Sequence, residues 1–222
     1  MVLFDLFHTL TALESVWGPQ RAMTYQILGV SQRAWHEQLL DKSRIRLVGE
    51  ERDPFAVVAL MARAIDPSIP DAKIREAVES RTERFAGALV NVPQETRDVL
   101  RTLKSRGLKL GLISNADVME VAAWDRSPIA PLFDTAVFSC VEGCMKPERE
   151  IYDTAMLRLG VGPASCVFVG DGGSHELEGA RALGIATIMI TGIVREIWPE
   201  RIPERRRHAD CEIERLQELI AD

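Results

Sequence analysis

The sequence predicts an α/β fold: a parallel sheet flanked by helices, with a block of helices inserted after the first strand. Three observations predict it. Short apolar runs alternate with helices of about ten residues from Val92 onward, and such alternation builds parallel sheets with right-handed crossovers. Between Glu14 and Ala88 the apolar residues instead recur at three and four, the spacing of amphipathic helices. Polar residues stand just after three separate apolar runs, as Asp5, Ser114-Asn115 and Gly170-Asp171, where an open parallel sheet gathers its ligands.

Residues 1–6 read as a short apolar strand, buried except for Asp5. The helical block breaks near Gly29, Gly49 to Pro54 and Pro67 to Pro70, which gives about four helices. Ser31 and Asp71 are the expected N-caps. Gln94 to Arg106 is a helix closed by Gly107, and Leu108 to Ile113 a strand ending at Ser114-Asn115. Asp117 to Asp125 reads as helix, Ala136 to Ser139 as a short strand, and Glu148 to Leu159 as a helix closed by Gly160. Cys166 to Val169 is a strand ending at Gly170-Asp171, followed by a helix from Glu176 to Leu183 and a strand from Ile185 to Ile190. The Arg-rich residues 195–210 read as a surface loop, and Glu212 to Ala221 as a last helix. The expected division is 1–13 and 89–222 as core, with 14–88 as a helical module.

The chain of 222 residues carries a formal net charge of -6, which argues against electrostatic capture of nucleic acid or an anionic membrane. No apolar run approaches the ~20 residues of a spanning helix. Four cysteines do not make a disulfide framework, and the Cys140/Cys144 pair has no second pair to complete a zinc site. A cytoplasmic protein with reduced thiols is expected, as monomer or homodimer, with a small anionic partner.

Four segments carry chemistry. In Phe4-Asp5-Leu6-Phe7-His8-Thr9, a carboxylate at a strand end can serve as nucleophile, metal ligand or turn cap. Ser114 and Asn115 offer a hydroxyl and backbone N–H groups to an anion, or a helix cap. Lys146, before Pro147, is kept out of the following helix and can aim its ammonium at developing negative charge, or lie in solvent. Gly170-Asp171-Gly172-Gly173-Ser174 gives room for close approach, and Asp171 suits a hard cation such as Mg2+.

In this order and at these strand ends, the four segments resemble the haloacid dehalogenase superfamily of hydrolases, over essentially the whole chain. The resemblance implies a Rossmann-like core with a helical cap inserted at 14–88. It implies Asp5 as the attacking residue, forming an aspartyl-phosphate in phosphatases or an aspartyl ester in dehalogenases. Thr9 and Ser114 would hold the transferring group and Lys146 would neutralise its charge. Mg2+ would be bound by Asp5, Asp171 and the backbone carbonyl of Phe7, with Glu176 a candidate further ligand. Asn115, Arg44 and Arg46 are the candidate substrate contacts, with Arg33 and His36 nearby in the cap.

Two positions depart from the family pattern. Phe7 stands where phosphatases place a second aspartate that acts as general acid and base. His175 stands where many members have another aspartate, with Glu176 next to it. His8 replaces a frequent glycine, and with His175 it is a candidate for the missing proton transfer. Phe7 points toward the metal-free 2-haloacid dehalogenases, whereas Asp171 points toward a Mg2+-dependent phosphatase. Loss of both acids leaves a catalytically degraded binding protein as a further alternative.

Overall fold

A computed structural model describes residues 1–13 and 22–221. The chain opens with strand β1 (Val2–Phe4), and the described part of the helical block follows: α1 (Thr24–Leu28), α2 (Gln32–Asp41), α3 (Ser43–Leu47), α4 (Pro54–Ile65) and α5 (Asp71–Val90). Then come α6 (Gln94–Ser105), β2 (Leu110–Ser114), α7 (Val118–Val121), β3 (Thr135–Phe138), α8 (Ser139–Glu142), α9 (Arg149–Leu159), β4 (Val167–Gly170), α10 (Glu176–Ala182), β5 (Ala186–Ile190), α11 (Gly192–Ile197), α12 (Ile202–Arg205) and β6 (Cys211–Ile213). Among the described residues, the six strands form one sheet in the order β3-β2-β1-β4-β5-β6. Every pairing is parallel.

Strand alternation sorts the side chains into two layers. Phe4, Leu112, Val169 and Ile190 pack on one face with Val99, Leu100 and Leu103 of α6. Leu3, Ile113, Phe168 and Met189 pack on the other with Ile151, Tyr152 and Ala155 of α9 and with Leu177 of α10. Covered on both faces, the central strands have no polar side, and so they read as continuous apolar runs. A third cluster joins the helical block: Leu28, Trp35, Val58, Met61, Ala62 and Ile74, with Met119 of α7 packed among them.

The expected α/β architecture holds, and its differences from expectation are local. The described block has five helices rather than four, because α2 and α3 break at Lys42, whose backbone leaves the helical range. The part of the expected block at 14–21 lies outside the described residues. Ser31 caps α2 by accepting from the Ala34 N–H, whereas Asp71 is the first residue of α5 and Pro70 is its cap. The helix expected over Asp117 to Asp125 ends after one turn and continues as a 3-10 turn at Trp124–Arg126. Ser139, expected to end β3, opens α8.

The largest differences are C-terminal. Residues 195–210 are not a plain loop: the end of α11, α12 and two 3-10 turns run through them. The expected helix from Glu212 is instead β6 followed by a 3-10 turn at Leu216–Leu219. Pairing with β5 buries Ile213 against the sheet, and that long-range contact overrides local helix preference. Glu218 then accepts the backbone N–H groups of Glu214 and Arg215, which caps the start of that 3-10 turn after Arg215.

Candidate active site

Four sequence-predicted residues meet at the carboxyl edge of the sheet. Asp5 follows β1, Ser114 ends β2, Lys146 precedes α9, and Asp171 follows β4. All four are buried. Lys146 Nζ donates to Asp5 Oδ1 at 2.5 Å and to Glu176 Oε2 at 2.5 Å. Thr9 Oγ1 donates to the other oxygen, Asp5 Oδ2, at 3.1 Å. The Asp5 carboxylate is therefore held at both ends, one by an ammonium and one by a hydroxyl. Burial by itself would weaken the proton affinity of Lys146, but the Asp5 and Glu176 carboxylates more than reverse this and hold it above its ordinary range. Lys146 is charged at any physiological pH.

Asn115 lines the site, and both of its amide atoms are engaged by the Lys146 backbone. Its amide nitrogen donates to the Lys146 carbonyl at 2.8 Å, and its amide oxygen accepts the Lys146 N–H at 2.7 Å. This two-bond clamp fixes the backbone from which Lys146 springs. Tyr152 does the same for Glu176, donating from its hydroxyl to the Glu176 carbonyl at 2.7 Å.

The turn after β4 is shaped by two glycines. At Gly170 a Cβ would lie 2.2 Å from Glu176 Oε1, so glycine leaves the space that this carboxylate fills. Gly172 has φ +81°, and a Cβ there would lie 2.7 Å from Arg205 Cβ. Further along the same turn, Ser174 and His175 also sit at positive φ, as does His8 after β1. Non-glycine residues in this region carry strain, and such strain gathers at functional sites.

Asp5, Asp171 and Glu176 each offer an oxygen within 4.8 Å of the others. Three hard oxygen donors of this kind fit a small divalent cation such as Mg2+. Glu176 is held well above the ordinary carboxylate range, first by burial and then by Asp5. A cation among these groups would oppose both effects.

A cavity of about 320 Å³ is lined by Asp5, Phe7, Ser114, Asn115, Lys146, Asp171 and Glu176, together with Arg46, Trp198 and Arg205. A second cavity of about 620 Å³ shares His8, Arg46, Phe85, Glu120 and Trp198 with it, and extends into the helical block past Tyr25, Trp35 and His36. The Phe7 ring packs edge-on against Phe85 of α5, centroids 5.2 Å apart. Arg46 lines both cavities, but its guanidinium also bonds Asp117 at 3.1 Å and Glu120 at 3.3 Å. Arg44 lies outside both linings and pairs with Glu148 near the surface. Arg33 is exposed and pairs with Glu37.

The two histidines are not brought together. The His8 ring packs edge-on against Trp198, centroids 4.8 Å apart, whereas His175 turns outward to Glu178. Sequence reasoning missed Trp198 and Arg205, which the short helices α11 and α12 fold back onto the site. It also missed the Arg46–Arg81–Asp117–Glu120 group beside it. Only the Asp-x-x-Glu spacing of Asp117 and Glu120, a capping-box pattern, marked that group in the sequence.

A buried aspartate held by a lysine, beside two more acids at the carboxyl edge of a parallel sheet, places the chain among the open α/β proteins that gather their ligands at that edge. The family model described as haloacid dehalogenase-like hydrolase matches residues 1–184, and the chain belongs to that family. Over 137 residues, or 60% of this chain and 57% of the relative, it is 31% identical to a glyceraldehyde 3-phosphate phosphatase of Methanocaldococcus jannaschii. The chain spans somewhat more than half the length of the first curated relatives it matches. Among solved structures it is similar to a dehalogenase, with TM-score 0.69 at 21% identity over 98% of this chain and 94% of that one. It is also similar to a phosphatase of this family from Thermococcus onnurineus, with TM-score 0.63 at 23% identity over 98% and 94%.

Proposed function

We propose that this chain is a Mg2+-dependent phosphatase that acts on a small phosphorylated molecule through an aspartyl-phosphate on Asp5. The observation that carries the reading is the convergence of Asp5, Asp171 and Glu176 within 4.8 Å around Lys146. Asp171 is the carboxylate that favours this reading over a metal-free dehalogenase, which has no cation to hold. The match to phosphatases named for glyceraldehyde 3-phosphate supports the same chemistry, while the substrate of this chain stays at the level of a small phosphate ester. In this reading 1–13 with 89–222 form the core and 14–88 the cap, and the two cavities hold the phosphoryl group and the remainder of the substrate.

Asp5 attacks phosphorus and the bond to the leaving oxygen breaks. Water then attacks the same phosphorus, the Asp5–phosphate bond breaks, and inorganic phosphate leaves. Thr9 and Lys146 fix the orientation of the Asp5 carboxylate before attack, which removes reorganisation from the barrier. The Lys146 ammonium and the Ser114 hydroxyl face the charge that develops on the transferring group. Asp5, Asp171, Glu176 and the Phe7 carbonyl would hold the cation, which when bound neutralises phosphoryl charge. Phe7 supplies no proton to the leaving oxygen. Turnover should therefore depend steeply on leaving-group acidity, because general acid help of about 10²–10⁴-fold is missing at that position.

One observation favours a second reading. Phe7 fills the acid–base position with an aromatic ring packed on Phe85, which suits transfer from carbon to Asp5 with halide as leaving group. Release of p-nitrophenol from p-nitrophenyl phosphate, with Mg2+ and with EDTA, separates the two. We expect Mg2+-dependent release that is lost in Asp5→Asn. No release in either buffer, together with halide release from 2-chloropropionate, would replace the phosphatase reading with the dehalogenase one.

A further inference from the structure

The six carboxylate oxygens of Asp5, Asp171 and Glu176 all have donors. Lys146 takes Asp5 Oδ1 and Glu176 Oε2, Thr9 takes Asp5 Oδ2, and the Gly172 N–H takes Glu176 Oε1 at 2.9 Å. The Gly173 N–H takes Asp171 Oδ1 at 2.8 Å. The last oxygen, Asp171 Oδ2, accepts from Arg205 Nη1 at 2.5 Å, and the same nitrogen reaches the Asp171 carbonyl at 3.2 Å. Arg205 comes from α12, far along the chain, and only 15% of its side chain is exposed. Its stem runs over Gly172, where any side chain would collide with it. Its guanidinium lies 5.8 Å from the centroid of the Trp198 ring, and Trp198 in turn packs on His8.

Three carboxylates thus face two cations, Lys146 and Arg205. Among the described residues, Lys146 is committed to Asp5 and Glu176, and Arg205 is the cation that pairs with Asp171. We infer that Arg205 is a built-in counter-cation that competes with the divalent metal for Asp171, and that metal entry requires Arg205 to swing away. The inference rests on the reading of the three acids as a cation site. A carboxylate oxygen bonded to a guanidinium is not free to ligate, so the metal-competent state is only the fraction in which Arg205 has left. Apparent affinity falls by that fraction. The route out is short: α12 is a single turn between two 3-10 turns, joined to the core by few buried apolar residues, of which Ile202 is one. Such segments open at low cost.

The device gives the apo protein a way to keep an acidic site folded without metal. It also sets a threshold below which the cation does not load, and the position of that threshold is encoded in one arginine.

The test is direct titration of Mg2+ into metal-free protein by calorimetry, for wild type, Arg205→Gln and Asp171→Asn, with melting temperature read with and without Mg2+. The inference expects Arg205→Gln to bind Mg2+ about tenfold more tightly than wild type. It also expects a lower melting temperature without metal and a larger Mg2+-induced rise. Equal or weaker binding in Arg205→Gln, with wild type binding and Asp171→Asn not, overturns the competitor role and leaves the metal site standing. No binding by any of the three overturns the metal reading along with it. If Arg205→Gln does not fold, Arg205→Lys keeps the charge but loses the planar fork. It should then bind Mg2+ more tightly than wild type, and unchanged binding would overturn the inference.

Discussion

Two buried charge clusters lie side by side in this molecule. At the sheet edge, Asp5, Asp171 and Glu176 face Lys146 and Arg205. A few residues away, Asp117 and Glu120 face Arg46 and Arg81, which come from α3 and α5. Both are made of groups that burial penalises, and both compensate with direct ion pairs. They differ in balance. The second has two acids against two cations and stays within one set of pairs, tying the helical block to the loop after β2. The first has an acid in excess, and one of its cations arrives from a distant, thinly anchored segment. Buried charge that balances is a joint, whereas buried charge left in excess marks a place for something else to bind.

Lys146→Met and Arg81→Met break the comparison most sharply, since each removes one buried cation. For Lys146→Met we expect activity on p-nitrophenyl phosphate to fall by about 10³-fold, as when a donor to developing charge is lost. Stability should fall by about 3–5 kcal/mol because Asp5 and Glu176 lose their shared partner. Mg2+ should restore part of that stability, since a cation can enter among the three acids. A melting temperature in Lys146→Met that does not respond to Mg2+ would contradict the excess-charge argument.

Arg81→Met should cost a similar 3–5 kcal/mol, with no recovery on adding Mg2+. Its signature is pH. Glu120 is already held above the ordinary carboxylate range by burial and by Asp117, and Asp117 is held below it because Arg81 and Arg46 outweigh burial. Without Arg81 the pair should take up a proton, with Glu120 raised further. A carboxylate whose folded value is raised binds its proton more tightly folded than unfolded, so stability falls as pH rises through that window. The deficit of Arg81→Met against wild type should therefore shrink as pH falls through the raised Glu120 range toward the ordinary carboxylate range, in urea denaturation. A deficit that is flat in pH would mean that Asp117 and Glu120 stay ionised together.

The same contrast explains what could be read in advance. Asp5, Ser114 and Asp171 were legible because each closes or follows a short apolar run, and parallel topology brings such ends to one edge whatever the details; Lys146 was legible from its place before Pro147, outside the following helix. Glu176 was legible only as a neighbour of Asp171, since its approach depends on the vacancy at Gly170. Arg205 and Trp198 were not legible. They sit in a polar, Pro-interrupted stretch whose course is set by β6 adding to the sheet, a pairing of three residues that carries almost no local pattern. Arg46 was picked out as a cationic cap residue, but its partners Asp117 and Glu120 depend on how the block docks, which spacing along the chain does not encode.

Phe7→Asp sharpens the comparison from within the site, because it adds a third kind of group: an acid with no cation assigned to it. Phe7 lines the same cavity as Asp5 and packs on Phe85, so a carboxyl at position 7 would stand where a leaving oxygen needs a proton. Loss of the ring should cost about 3 kcal/mol of stability, toward the low end for removing a large side chain, since Phe7 is only partly buried. Turnover on an alkyl phosphate should nevertheless rise by about tenfold, a part of the full general-acid effect, because the strand end was not shaped around this acid. On p-nitrophenyl phosphate the rise should be small, because nitrophenolate departs without a proton. Phe7→Asn separates proton transfer from simple loss of the ring: it removes the same packing but cannot donate at neutral pH as an acid does. Equal rates for Phe7→Asp and Phe7→Asn on the alkyl phosphate would mean that position 7 does not face the leaving group, and that the aromatic ring there serves contact with α5 alone.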